Sequence, residues 1–147
     1  MKKKAIIVSI KGFSLTDKEK LLFLEEKPWG LILFKRNIKS VDQIKFLIKK
    51  TRKLTKDKNL PILIDEEGAT VSRLRNIINH NISASNFGKL YEINDKSCIQ
   101  IYKNYLNSLC KILKNIGINI NTIPVLDILR KNTTKVIGER SFSKKKE

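Results

Sequence analysis

An apolar run at residues 60–64 (LPILI) drives straight into three carboxylates, Asp65, Glu66 and Glu67, and then into Gly68. Carboxylates at the end of a buried strand, beside a flexible turn, can accept hydrogen bonds from sugar hydroxyls, hold a metal, or act as acid and base. The same pattern has a plainer reading, in which Glu66 and Glu67 only begin a helical turn and gain from its positive end. Two other strand ends carry polar groups: Lys35-Arg36-Asn37 after GLILF, and Asp127 after the apolar run before it. His80 is the single histidine and falls in a polar stretch, so it reads as a loop residue rather than a catalytic one. Cys98 and Cys110 stand more than three helical turns apart, too far to share a metal, and read as buried apolar fillers. No glycine-rich phosphate loop or zinc spacing is present, so no cofactor is expected.

The elements that must carry these groups alternate between short β-type runs and longer helical patterns. Residues 5–10 (AIIVSI) read as a buried strand. Thr16 opens a helical stretch that stops before Pro28. Residues 30–34 (GLILF) are apolar throughout, as in a strand covered on both faces. Ser40 with Gln43 resembles a capping box, and Val41, Ile44, Leu47 and Ile48 continue at helical spacing toward residue 55. Residues 61–64 form the third strand. Residues 76–94, rich in Asn and Ser, read as a long loop with short turns. A helix spans 95–116, with Ile99, Tyr102, Leu106, Leu109, Leu113 and Ile116 on one side and Gly117 at its C-terminal cap. A fourth strand covers 119–128. The order β-α-β-α-β-α-β predicts an α/β fold with parallel strands and outer helices, and functional residues beyond the carboxyl ends of those strands.

Composition narrows the function classes. The chain has 147 residues, 41% hydrophobic and 31% charged, which fits one globular domain over residues 1–147 with a real core. No apolar stretch approaches the ~18 residues of a membrane span. The Lys-rich start is followed by too short an apolar run for a signal peptide, and two free thiols suit a reducing cytoplasm. The net charge is +17, which favours anionic partners. However, 25 Lys against 6 Arg, together with 22 Ile and 13 Asn, is the composition that A/T-rich codons produce. The lysines are spread along the chain and only ten residues are aromatic, so nucleic acid is expected to bind only non-specifically, at low salt.

Asp65-x-Glu67-Gly68-Ala69-x-Val71-x-Arg73 resembles the D-x-E-G-G-x-V-x-R signature of family-three glycoside hydrolases, especially bacterial β-N-acetylhexosaminidases of peptidoglycan recycling. Ala69 stands where the pattern has its second glycine. Residues 30–37 (GLILFKRN) resemble that family's second strand and loop, 120–127 (INTIPVLD) its A-P-V-L-D strand, and 137–143 (IGERSFS) its I-G-[DE]-R-[SA]-[FY] loop. The resemblance implies the N-terminal half of a (β/α)₈ barrel with its site at the C-terminal mouth. It implies that Asp65 hydrogen-bonds the hydroxyls of a terminal N-acetylglucosamine, that Arg73 lies in the same ligand-contacting region, and that Arg140 reaches the sugar from another loop. Asp127 and Glu139 would support these contacts from behind, although Asp127 could equally cap the turn that follows it.

By the same resemblance the chain lacks the Lys-His pair that binds substrate, the histidine on a mobile loop that serves as acid/base, and the aspartate nucleophile. No catalytic residue is therefore expected within it. A retaining mechanism needs both partners, so the chain alone is expected to be inactive. It reads as the product of a truncated or split gene, and a half-barrel with open edges is expected to be marginally stable, to self-associate, or to be completed by a C-terminal half. A non-catalytic sugar-binding or scaffold protein is the alternative from another class, and a basic nucleic-acid-binding module the third.

Overall fold

The computed structural model describes residues 3–132 and 134–145. Four parallel strands, β1 (Lys4–Val8), β2 (Pro28–Leu33), β3 (Ile62–Ile64) and β4 (Ile120–Asn121), lie in the order β1-β2-β3-β4. Each pairs with the next in sequence: Ile7 with Gly30, Ile32 with Leu63, Ile64 with Asn121. Helices α1 (Asp17–Glu25), α2 (Val41–Thr55), α3 (Ala84–Ile93) and α4 (Asp95–Ile116) occupy the connections. A strand order that never reverses belongs to a singly wound, barrel-type sheet, whereas a doubly wound sheet turns back at a switch point.

Local chemistry explains three helix starts. Thr16 Oγ1 accepts the Glu19 N–H while Glu19 accepts the Thr16 N–H at 2.8 Å, a complete capping box. Ser40 accepts the Gln43 N–H, but the Gln43 side chain accepts from Lys39 N and donates to the Phe13 and Asn37 carbonyls, so the predicted box is only half made. Asn94 caps α4, and Gly117, at φ +103, closes it with its own N–H and that of Ile118 both reaching Leu113 O.

The core lies between the central strands and α2 and α4. Leu31, Leu33, Ile62 and Ile64 are fully buried, joined by Ile44, Leu47 and Ile48 from α2 and by Leu109, Leu113 and Ile116 from α4. Four expectations are corrected. β1 is exposed rather than buried, with Ile6 and Ile7 nearly half accessible, because it is the edge of the sheet and no strand among the described residues lies outside it. β4 pairs over two residues instead of ten, since β3 is its sole neighbour in the sheet and β3 itself spans three residues. Residues 84–93 form α3, not a loop. Tertiary contact carries this helix: Phe87 meets the Tyr102 and Tyr105 rings at 4.7 and 5.3 Å, and Gly88 lies so close to the Phe142 carbonyl that no side chain would fit. Finally, Cys98 is buried as predicted, but Cys110 is exposed, and so is Ile99.

Candidate functional site

The carboxyl ends of the strands share one rim, and side chains tie it together. Asn37, fully buried after β2, donates to the carbonyls of Ile10 and Gly12 and accepts from Phe34 N. Arg36 donates to Ile10 O and Ser9 Oγ from the same turn. The strand-end group Lys35-Arg36-Asn37 therefore splices the loops after β1 and β2.

Beyond β3 the chain does not begin a helix, which removes the plainer reading of Glu66 and Glu67. It folds back in a turn, with Glu66 bridged to Ser72 and Val71 O accepting from Glu67 N and Gly68 N. Gly68 is required there: its φ is +137, and a Cβ would lie 2.1 Å from the Ile82 carbonyl oxygen. Ala69 is unstrained, because among the described residues positive φ outside glycine occurs at Lys27 and Lys56.

The turn brings Arg73 back beside Asp65. Arg73 donates to Asp65 Oδ2 at 2.8 Å and lies over the Phe34 ring, its guanidinium carbon 5.4 Å from the centroid. Thr122, just after β4, donates to Asp65 Oδ1 at 2.7 Å. Burial alone pushes the Asp65 carboxyl up, but the Thr122 and Arg73 hydrogen bonds and the charges of Arg73 and Arg140 together hold it below its ordinary 3.8. Asp65 is thus an ionised acceptor at neutral pH. Its side chain keeps 21% exposure, and each oxygen retains a lone pair for a hydroxyl donor.

Arg140 takes a different partner, Glu67, through two hydrogen bonds of 2.8 Å from Nε and a terminal nitrogen. This forked pair holds the Arg140 guanidinium even more firmly in its charged form, helped by the fields of Asp127 and Asp65. Asp127 and Glu139 are both exposed. The Asp127 backbone carbonyl accepts from Ser141 Oγ at 2.7 Å, so its segment is pinned to the loop that carries Arg140. Between Glu67, Arg140, Tyr105 and Phe142 remains a cavity of about 20 Å³, the size of one water and far too small for a sugar ring.

Sequence reasoning missed one pairing and two participants. Glu67 and Arg140 lie 73 residues apart, and opposite charge within two motifs was the available signal. Thr122 carried no signal. His80 does lie in a loop, but it is 2.6 Å from Glu66 through Nε2 and 2.9 Å from the Tyr105 hydroxyl through Nδ1, with a side chain only 10% exposed. Among the described residues no three His, Cys, Asp or Glu side chains converge to hold a metal. No helix among them is long and apolar enough to cross a membrane.

The motif residues lie together at one rim of a singly wound sheet, and the N-terminal domain model of glycosyl hydrolase family 3 matches residues 6–147. The chain belongs to glycosyl hydrolase family 3. Among family members it is 28% identical over 142 residues to a β-hexosaminidase of Thioalkalivibrio sulfidiphilus, covering 97% of this chain and 40% of that protein. It is 34% identical to a β-hexosaminidase of Idiomarina loihiensis, covering 94% of this chain and 40% of the relative. NagZ from Neisseria gonorrhoeae, solved in complex with N-trifluoroacetyl-D-glucosamine, superposes with a TM-score of 0.87 at 28% identity, over 97% of this chain and 41% of that one. The chain therefore spans about 40% of the length of the family 3 relatives it matches. The α/β architecture read from the sequence is the family's own, and the sheet here is the N-terminal part of that barrel.

Proposed function

We propose that this chain is the sugar-gripping portion of a cytoplasmic β-N-acetylhexosaminidase of cell-wall recycling, acting on terminal, non-reducing β-linked N-acetylglucosamine. The observation that carries the reading is Asp65, ionised at the carboxyl end of β3 and held between Thr122 and Arg73 with lone pairs to spare. Arg73 supplies donors beside it. Arg140, oriented by Glu67, supplies donors from the 137–143 loop, with Asp127 and Glu139 supporting that loop. The relatives' names, and the N-acylated glucosamine in the superposed structure, support an N-acetylglucosamine ligand. The unpaired thiols of Cys98 and Cys110 support a reducing compartment.

Hydrolysis with retention needs a nucleophile at the anomeric carbon and a proton donor at the leaving oxygen. We assign neither role to a residue of this chain. Residues 1–147 act as a single saccharide-binding unit, and turnover requires the remaining strands of a family 3 barrel. The test is a titration of the chain with N-acetylglucosamine followed by NMR, beside an assay with a chromogenic N-acetylglucosaminide. Saturable shifts at Asp65 and Arg73 without turnover are expected. Absence of binding at millimolar sugar would overturn the reading, and turnover by the isolated chain would overturn the division of labour.

A further inference from the structure

Glu66 is the anomaly of the rim. Its neighbours Asp65 and Glu67 are partly accessible, yet Glu66 has no exposed surface. A buried carboxylate persists only when donors saturate it. Four do so here: Ser72 Oγ at 2.5 Å and His80 Nε2 at 2.6 Å on Oε1, and the backbone N–H groups of Arg73 and Leu74 at 2.8 Å each on Oε2. From the other side, the Asn121 side chain of β4 accepts from Glu66 N and donates to Glu66 O, so the residue's backbone is clamped to the sheet.

The carboxylate can only accept, so the proton of His80 sits on Nε2. The other ring nitrogen, Nδ1, pairs with the Tyr105 hydroxyl at 2.9 Å. Tyr105 belongs to α4, where it packs against Phe87 of α3. A continuous line of hydrogen bonds thus runs from α4 through Tyr105, His80 and Glu66 into the turn that presents Arg73.

We propose that Glu66, backed by His80 and Tyr105, positions Arg73 against Asp65 and so sets the affinity of the sugar site from residues that do not touch the sugar. The affinity statement rests on the sugar-binding reading above. The positioning statement does not. Geometry gives the reason: Arg73 is held at both ends, its backbone N–H by Glu66 and its guanidinium by Asp65, so losing the first anchor frees the second. Beneath the guanidinium lies the Phe34 ring, 5.4 Å from its carbon to the centroid.

The pH behaviour separates positioning from packing. The titratable groups facing Glu66 are His80 from its own loop and Tyr105 from α4, while β4 offers the non-titratable Asn121. Burial pushes the Glu66 carboxyl up, and the His80 contact leads the interactions that bring it below its ordinary 4.5. Burial, with the Glu66 charge, pushes the Tyr105 hydroxyl up to about 12, so it remains a donor across the range tested. Removing the His80 donor must therefore make Glu66 protonate at higher pH. A protonated Glu66 needs an acceptor of its own and lets go of the Arg73 and Leu74 amides.

The experiment is an acid titration of the full chain from pH 7, following the Arg73 and Leu74 amide resonances, with N-acetylglucosamine affinity measured in the same samples. For His80→Ala the amide midpoint is expected to rise by about one pH unit. Affinity measured between the wild-type and variant midpoints is expected to fall roughly tenfold. His80→Gln, which keeps an N–H donor, is expected to restore both. Tyr105→Phe, which keeps the ring packing, is expected to move both in the same direction by less, and it decides the matter should His80→Ala fail to fold. Unchanged amide midpoints in the folded variants would overturn the proposal, even if their thermal stability dropped. Shifted midpoints in a protein that binds no sugar would uphold the positioning while overturning the sugar reading.

Discussion

The rim beyond β3 and the flank formed by β1 and α1 are built from opposite materials. At the rim, charged groups are almost all paired: Asp65 with Arg73 and Thr122, Glu67 with Arg140, Glu66 with four donors. On the flank, Ile6, Ile7, Leu21, Leu22 and Leu24 are exposed, and α1 buries only Phe23. A hydrogen-bonded cluster closes on itself within a few ångströms, so a fragment of a barrel can hold it. Hydrophobic burial needs an opposing surface, and among the described residues Ile6 and Ile7 of β1 find little of one. The site is therefore self-contained where the scaffold is not.

Breaking the rim at its buried centre gives the largest expected effect. Glu66→Ala removes the acceptor of four donors and leaves them unpaired in the interior, for a loss of about 3–5 kcal/mol in urea unfolding. A loss below about 1 kcal/mol would mean that the rim is not self-contained. Gly68→Ala forces a methyl group against the Ile82 carbonyl at positive φ and is expected to destabilise by about 2 kcal/mol in the same measurement. Asp65→Asn, at a partly exposed pair, should change stability by no more than about 1 kcal/mol, yet abolish N-acetylglucosamine shifts in NMR, because the amide offers one acceptor oxygen instead of two.

Acid sharpens the contrast. Asp65 and Glu66 both titrate below their ordinary values of 3.8 and 4.5, so their stabilisation is complete above those values and is lost as pH falls through the lower folded values. Melting temperature should stay level from pH 7 to about 5 and drop steeply below about 4. Ile7→Thr on the flank gives the smallest expected effect, within about 0.5 kcal/mol, with the same acid profile. Its signature is reduced self-association in sedimentation, since it makes an exposed apolar edge more polar.

Much of this fold was legible along the chain. Thr16-Asp17-x-Glu19, Ser40 with Gln43, and Gly117 after Ile116 mark boundaries through neighbours a few residues apart, which is why α1, α2 and α4 begin or end near where local chemistry places them. Helix α3 was hidden because Gly88 and the Asn residues around it are poor helix formers. What holds it is the aromatic contact with α4 and the close approach to Phe142. At the site, Asp65, Arg73 and Arg140 stood out by motif, but the motif did not say that Arg73 pairs with Asp65 while Arg140 pairs with Glu67.

The amino-acid order alone settled the alternation of strands and helices, the family, and the delivery of carboxylates to the end of β3, because hydrophobic period and capping are short-range properties of a chain. Only folding in three dimensions chose the partners of those carboxylates. Glu66 meets His80 fourteen residues away and Arg140 meets Glu67 across 73, and a buried charge accepts whichever donors the packed loops bring within hydrogen-bond reach.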